Sequence, residues 1–236
     1  INNSPFGEVY LNAIKNKLDI SSKNSLFIIS VTPWALLEDT SVRLEHDKNS
    51  ILFEMNSFNS KPNIEYLYKN YKYGWGRIIL DRISKYILEE YSTKMSNING
   101  SWSFLHTNGW LEVFTNMNEK HVEINTNKKI QSYINTMSNK SFSEYRYNYL
   151  KETINYLNNF GEVYIVRLPV HYSLLEIEND INPNFDDLIN KINNVKYINL
   201  KDESKLYKYT DGNHLYKKSA LIVSKKIADK ILELRK

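Results

Sequence analysis

The chain has 236 residues, 42% of them hydrophobic and 25% charged, proportions that exclude wholesale disorder and allow one sizeable core. It contains no cysteine, which excludes disulfides, thiol nucleophiles and thiolate metal sites. Its net charge of +4 comes from lysines interspersed with acidic residues, the pattern of solvated faces and not of a nucleic-acid footprint, and no run approaches the roughly 18 to 20 apolar residues that span a bilayer.

In chain order, Ser4 and Pro5 suit the N-cap and first turn of a helix, and Phe6, Val9, Tyr10, Ala13, Ile14 and Leu18 follow at helical spacing. The run Leu26-Phe27-Ile28-Ile29-Ser30-Val31, closed by Thr32-Pro33, is almost continuously apolar. It predicts a strand buried on both faces of a parallel sheet. Trp34 follows at the strand's C-terminal end, where open α/β sheets hold their ligands. It either meets a ligand there or is a rim aromatic packed on neighbouring sequence.

Residues 38–159 have a different texture, rich in Trp and Tyr and poor in continuous β-branched sequence. They read as an aromatic-rich insertion between core strands. Tyr66, Leu67, Tyr71, Ile78, Ile79, Ile83 and Ile87 suggest helices interrupted at Gly74-Trp75-Gly76. Trp102, Phe104, Trp110, Val113 and Phe114 around Asn108-Gly109 suggest a hairpin. The rings either stack on sugars or fill the core of a small subdomain.

Tyr147, Leu150, Ile154 and Leu157 then mark a helix stopped by Asn159-Phe160-Gly161, and a strand over 163–166 ends in Arg167-Leu168-Pro169. Pro183 opens another helix through Phe185, Leu188, Ile189 and Ile192, followed by a strand over 195–200 and a closing helix bearing Ala220, Val223, Ile227, Ile231 and Leu234. Such alternation predicts an α/β fold: a flavodoxin-like, three-layer parallel sheet with helices on both faces. The 236 residues form a single domain interrupted by the 38–159 insertion.

Between the last strand and the last helix lies Tyr209-Thr210-Asp211-Gly212-Asn213-His214-Leu215. Asp and His three residues apart in a Gly-containing loop suit a dyad, in which His takes a proton from a nucleophile and Asp orients the imidazole. The same residues also suit a turn capping the last helix. This Asp-x-x-His-Leu block resembles the C-terminal block of the SGNH (GDSL-like) hydrolase and acyltransferase superfamily. Gly161-Glu162-Val163-Tyr164-Ile165-Val166-Arg167-Leu168-Pro169-Val170 and Ile28-Ile29-Ser30-Val31-Thr32-Pro33-Trp34 resemble core strands of its bacterial envelope members. The resemblance implies that Asp211 and His214 are two members of a Ser-His-Asp triad. It further implies an esterase or O-acyltransferase acting on acyl esters of carbohydrate or a small ester, without a cofactor, in a bacterial envelope or outside the cell.

The chain departs from that pattern in two ways. No Gly-Asp-Ser nucleophile block is present, so the resemblance places that Ser, with a first strand, upstream of Ile1 or on a second chain that completes the sheet. Asn2-Asn3-Ser4 stands where the family has its Gly block, which makes Asn3 a candidate substrate contact, and Ser30-Val31-Thr32 stands where it has an Asn. Arg167 is a further candidate, either for an anionic or polyhydroxylated substrate or for an ion pair with a core-edge carboxylate. His46, His106, His121 and His171 fall in no metal-ligand spacing, so no metal is expected; His171 reads as a structural histidine. The rival to the enzyme is a non-catalytic carbohydrate-binding or assembly protein on the same fold.

Overall fold

The computed structural model describes residues 6–18, 23–39, 102–105 and 111–235. In chain order these form helix α1 (Glu8–Lys17), strand β1 (Ser25–Ser30), a 3-10 turn (Pro33–Leu36), the short strand β2 (Leu37–Glu38) and strands β3 (Trp102–Leu105) and β4 (Leu111–Phe114). Helix α2 (Glu119–Met137), strand β5 (Ser141–Phe142), helix α3 (Glu144–Leu157) and strand β6 (Gly161–Arg167) follow. Helices α4 (Tyr172–Ile181) and α5 (Phe185–Asn190), strand β7 (Lys196–Asn199), a 3-10 segment (Lys201–Leu206) and helix α6 (Lys217–Leu234) complete the series.

The centre is a parallel sheet in the order β1-β6-β7, so the expected mixed α/β architecture with a parallel sheet is present. Strand β6 is buried on both faces because its side chains alternate between two cores. Val163 and Ile165 join Ile29, Leu150, Ile154, Phe185 and Ile189 on one side. Tyr164 and Val166 join Ile198, Val223 and Ile231 on the other. Burial contributes about 1.5 to 3 kcal/mol per large apolar side chain, so β6 is the strand that both helical layers stabilise. A Cβ on Gly161 would lie 1.8 Å from the carbonyl oxygen of Ser25. Only glycine lets β6 start this close to β1.

Strand β1 differs from expectation. Phe27 and Ile29 face the α3 side, but Leu26 is 43% and Ile28 51% exposed. The reason is topological: β1 pairs only with β6 among the described residues, and α6 packs over β6 and β7. Among the described residues, no helix lies above the apolar residues on that face of β1.

The helix expected from Tyr147, Leu150, Ile154 and Leu157 is α3, at the end of the 38–159 segment, and Leu150, Ile154 and Leu157 pack on the sheet. Its N-cap, Ser143, accepts from the backbone N–H of Arg146 at 3.0 Å, as capping serines do. Arg146 is buried, ion-paired with Glu38 at 3.2 Å and donating to the Phe6 carbonyl at 2.9 Å, so it joins α3 to β2 and to the entry of α1. The hairpin is present, with β3 and β4 antiparallel in the register Trp102↔Phe114 to Leu105↔Leu111. Its Asn108-Gly109 turn lies outside the described residues, as do the expected helices of 66–87, Gly74-Trp75-Gly76, and Asn3, Ser4 and Pro5. The N-cap of α1 is Gly7.

Candidate active site

The loop between β7 and α6 is closed by a bridge between Tyr209 and Leu215 and by a bond from the Thr210 N–H to the His214 carbonyl at 2.9 Å. Within it, Asp211 Oδ1 accepts from the backbone N–H groups of Asn213 at 3.1 Å and His214 at 2.9 Å. This is an Asx turn that Asp readily makes. The turn chemistry of the structural alternative is present, although the N-cap of α6 is Tyr216, which makes no side-chain cap bond. Gly212 adopts φ +83, and a Cβ there would lie 2.9 Å from Thr126 Cγ2 and 3.3 Å from Leu174 Cδ1. A glycine is required for both reasons, and it seats the loop against α2 and α4.

The Asp211 carboxylate also receives the imidazole. His214 Nδ1 lies 2.9 Å from Oδ2 and 3.1 Å from Oδ1, and a carboxylate only accepts, so Nδ1 carries the proton. Nε2 is left as the proton acceptor, on a side chain that is 60% exposed. Burial alone would raise the Asp211 carboxyl. The His214 side chain and backbone N–H, the imidazole's charge and Lys129 at 3.6 Å nevertheless hold it down to about 2. At neutral pH Asp211 is therefore an ionised carboxylate that holds Nδ1 as the donor nitrogen, the orientation in which Nε2 can exchange a proton with a hydroxyl.

The dyad opens on a cleft of about 840 Å³ at the C-terminal ends of the parallel strands, the usual position of sites in open α/β sheets. Ser30, Thr32 and Trp34 line it from the end of β1, and Leu168, Pro169 and Val170 from the end of β6. The opposite wall is α2, which contributes Asn125, Lys128, Lys129 and Ser132 at i, i+3, i+4 and i+7. Trp34 lines the cleft and also packs edge-on against Tyr133 of α2, with ring centroids 6.4 Å apart. The ring thus packs on α2 while one side faces the cleft.

Arg167 is placed elsewhere. The alternation of β6 turns it to the α4 and α5 side, where it is 2% exposed. Nη1 donates to both Asp186 oxygens at 2.9 Å, and Nη2 donates to Glu178 at 3.0 Å. The ion-pair alternative is the one realised, and Arg167 does not line the cleft. Tyr197 also donates to Asp186, at 2.6 Å, and Lys201 pairs with it. Burial would raise Asp186, but Lys201, Tyr197 and Arg167 together lower it; burial raises Glu178 against the pull of Arg167.

His171 is structural, as expected. Its N–H donates to the Gly212 carbonyl at 2.8 Å, its Nδ1 accepts from Ser173 at the start of α4, and burial lowers its pKa. It anchors the dyad loop to α4. Among the described residues no cluster of His, Asp and Glu is suited to hold a metal ion, and no helix is long and apolar enough to cross a membrane.

Sequence reasoning missed α2 and with it Asn125, Lys128 and Lys129. A signal exists: Val122, Thr126, Ile130, Tyr133 and Met137 fall on one face, behind an Asn118 side chain that accepts from the Lys120 N–H at 3.1 Å. Asn125-Thr126-Asn127, poor helix formers placed mid-helix, conceal it. No family model matches the chain, and neither the curated proteins nor the solved structures contain a match.

Proposed function

We propose that this chain is an SGNH-like, GDSL-type domain of flavodoxin-like topology, and that Asp211 and His214 serve a serine-dependent ester hydrolase or O-acyltransferase acting on acyl esters of carbohydrate. The observation that carries the reading is the bidentate contact of His214 Nδ1 with an ionised Asp211 at the mouth of a cleft, with Nε2 left to act as base. In this reading a Ser hydroxyl gives its proton to Nε2 and attacks the acyl carbonyl. The imidazolium, stabilised by Asp211, then protonates the departing ester oxygen, which leaves as the sugar hydroxyl, and water or a second sugar hydroxyl, deprotonated by Nε2, releases the acyl group. The Ser reaches the cleft on a strand that pairs with the outer edge of β1, as an upstream segment or a second chain. The uncovered apolar side chains of Leu26 and Ile28 beside that edge support this. A bacterial envelope or extracellular setting belongs to the same proposal and rests on the family resemblance.

The second reading is a carbohydrate-binding or assembly protein that keeps the fold without the reaction. One observation favours it: among the described residues no hydroxyl is hydrogen-bonded to His214 Nε2. Labelling of the natural full-length protein with a fluorophosphonate, which reacts with a serine activated by histidine, separates the two. The enzyme reading expects stoichiometric labelling that His214→Ala abolishes. No labelling of a correctly folded wild type, with retained binding of acylated glycan, supports the second reading instead.

A further inference from the structure

The cleft does not end at the dyad. Beyond Lys128 and Ser132, which line it, an open groove of about 590 Å³ continues along α2, lined by Asn127, Gln131, Asn135 and Thr136 together with those two residues. The pattern Lys128, Gln131, Ser132, Asn135, Thr136 repeats at helical spacing and covers about 12 Å of helix at 1.5 Å per residue. Its side chains are uncharged amides and hydroxyls apart from one lysine. Amides offer donors and acceptors together, the complement of a run of sugar hydroxyls.

The charges in cleft and groove are unequal. Among the described residues, Lys128, Lys129 and Lys217 line the cleft against a single carboxylate, Asp211, and no described carboxylate lines the groove. Asp211 is already engaged by His214 and Lys129, and the ammonium of Lys217 lies over the Phe114 ring. Lys128 is exposed and makes no ion pair with any described carboxylate. It stands where cleft and groove meet. A positive, concave surface of this kind concentrates anions.

We propose that the ligand of this site is an acidic glycan chain, carrying carboxylate or phosphate groups, which lies along α2 with an anionic group on Lys128 and its ester-bearing sugar at His214. This rests on the carbohydrate-ester reading above and narrows it to polyanionic polymers. Carboxylate and phosphate bind an ammonium by the same chemistry, so either can supply the charge.

The test is binding, measured calorimetrically on the natural full-length protein at low salt with three probes: a hexagalacturonate, a phosphodiester-linked sugar hexamer and a neutral maltohexaose. One acidic probe or both bind at least about tenfold more tightly than the neutral one, and the preference fades as salt rises toward 0.5 M. Whichever acidic probe binds identifies the source of the charge. Lys128→Gln weakens that probe about tenfold and Lys128→Arg restores most of it, whereas Lys225→Gln, which removes the same charge outside the cleft, leaves affinity within about twofold. Gln131→Ala with Asn135→Ala weakens a hexamer more than a dimer of the same sugar. All variants are accepted only with wild-type thermal melts. Equal affinity for acidic and neutral hexamers, or an effect of Lys225→Gln equal to that of Lys128→Gln, overturns the proposal. Binding needs no turnover, so an acidic hexamer bound by a protein that fluorophosphonate does not label sinks the esterase reading and leaves this one standing.

Discussion

Gly212 fixes the dyad through the atom it lacks. Its φ of +83 and its contacts with Thr126 and Leu174 mean that a methyl group must strain the backbone and also push α2 or α4 away. Gly212→Ala is expected to lower stability by about 1 to 2 kcal/mol, read by urea denaturation, and to lower activity further than stability accounts for, because Asp211 precedes the displaced residue and His214 follows two residues on. Asp211 gives a separate, pH-dependent expectation. Its folded pKa is about 2 against a reference value of 3.8, so the unfolded chain takes up its proton first and stability falls with pH in that window. The contribution, on the order of 2 kcal/mol, is fully present above about pH 4 and lost as pH falls toward 2. Denaturation curves of wild type and Asp211→Asn should therefore converge on acidification; a constant difference from pH 7 to 2 contradicts the ion pair. These two residues were legible in the sequence because turn chemistry and dyad chemistry coincide in one short loop. Lys128 was not, because its meaning depends on a helix that three poor helix formers conceal.

At the scale of elements, Arg167 shows why position along a strand does not fix a role. Its place at the C-terminal end of β6 points to the cleft, but side-chain alternation turns it to the face closed by α4 and α5, where Glu178 and Asp186 meet it. Buried pairs add little over an apolar replacement of both partners, yet removal of one partner strands the other. Arg167→Met is expected to destabilise by about 3 kcal/mol or more, and addition of Glu178→Gln should return part of that loss. Burial already raises Glu178, so in Arg167→Met the penalty should shrink as pH falls from 7 and the carboxyl becomes protonated. Thermal melts across pH measure both effects. Strands β1 and β6 were readable from nearly continuous apolar runs, β7 from its place between two helical patterns, and α6 from its periodicity. Helix α4 was not, because a charged residue, Glu178, occupies one of its buried positions, and the partners that make this tolerable lie on β6 and α5.

For the whole molecule the open question is what meets β1. Leu26 and Ile28 have the composition of a core strand and the exposure of a surface one, a conflict between local pattern and packing that a covering strand and helix would remove. If that face is covered in the natural full-length protein, Ile28→Lys costs about 2 kcal/mol, the value of a buried isoleucine; a change below about 0.5 kcal/mol means that the face remains bare. The sequence could not display this, since a continuous apolar run reads the same whether its neighbours are present or not. Whether Asp211 and His214 work as a catalytic dyad is read by the turnover of a simple acetyl ester by the full-length protein and its His214→Ala variant. A working dyad entails a fall in kcat/KM of about a thousandfold or more with the melting temperature unchanged. Near wild-type turnover in His214→Ala contradicts it.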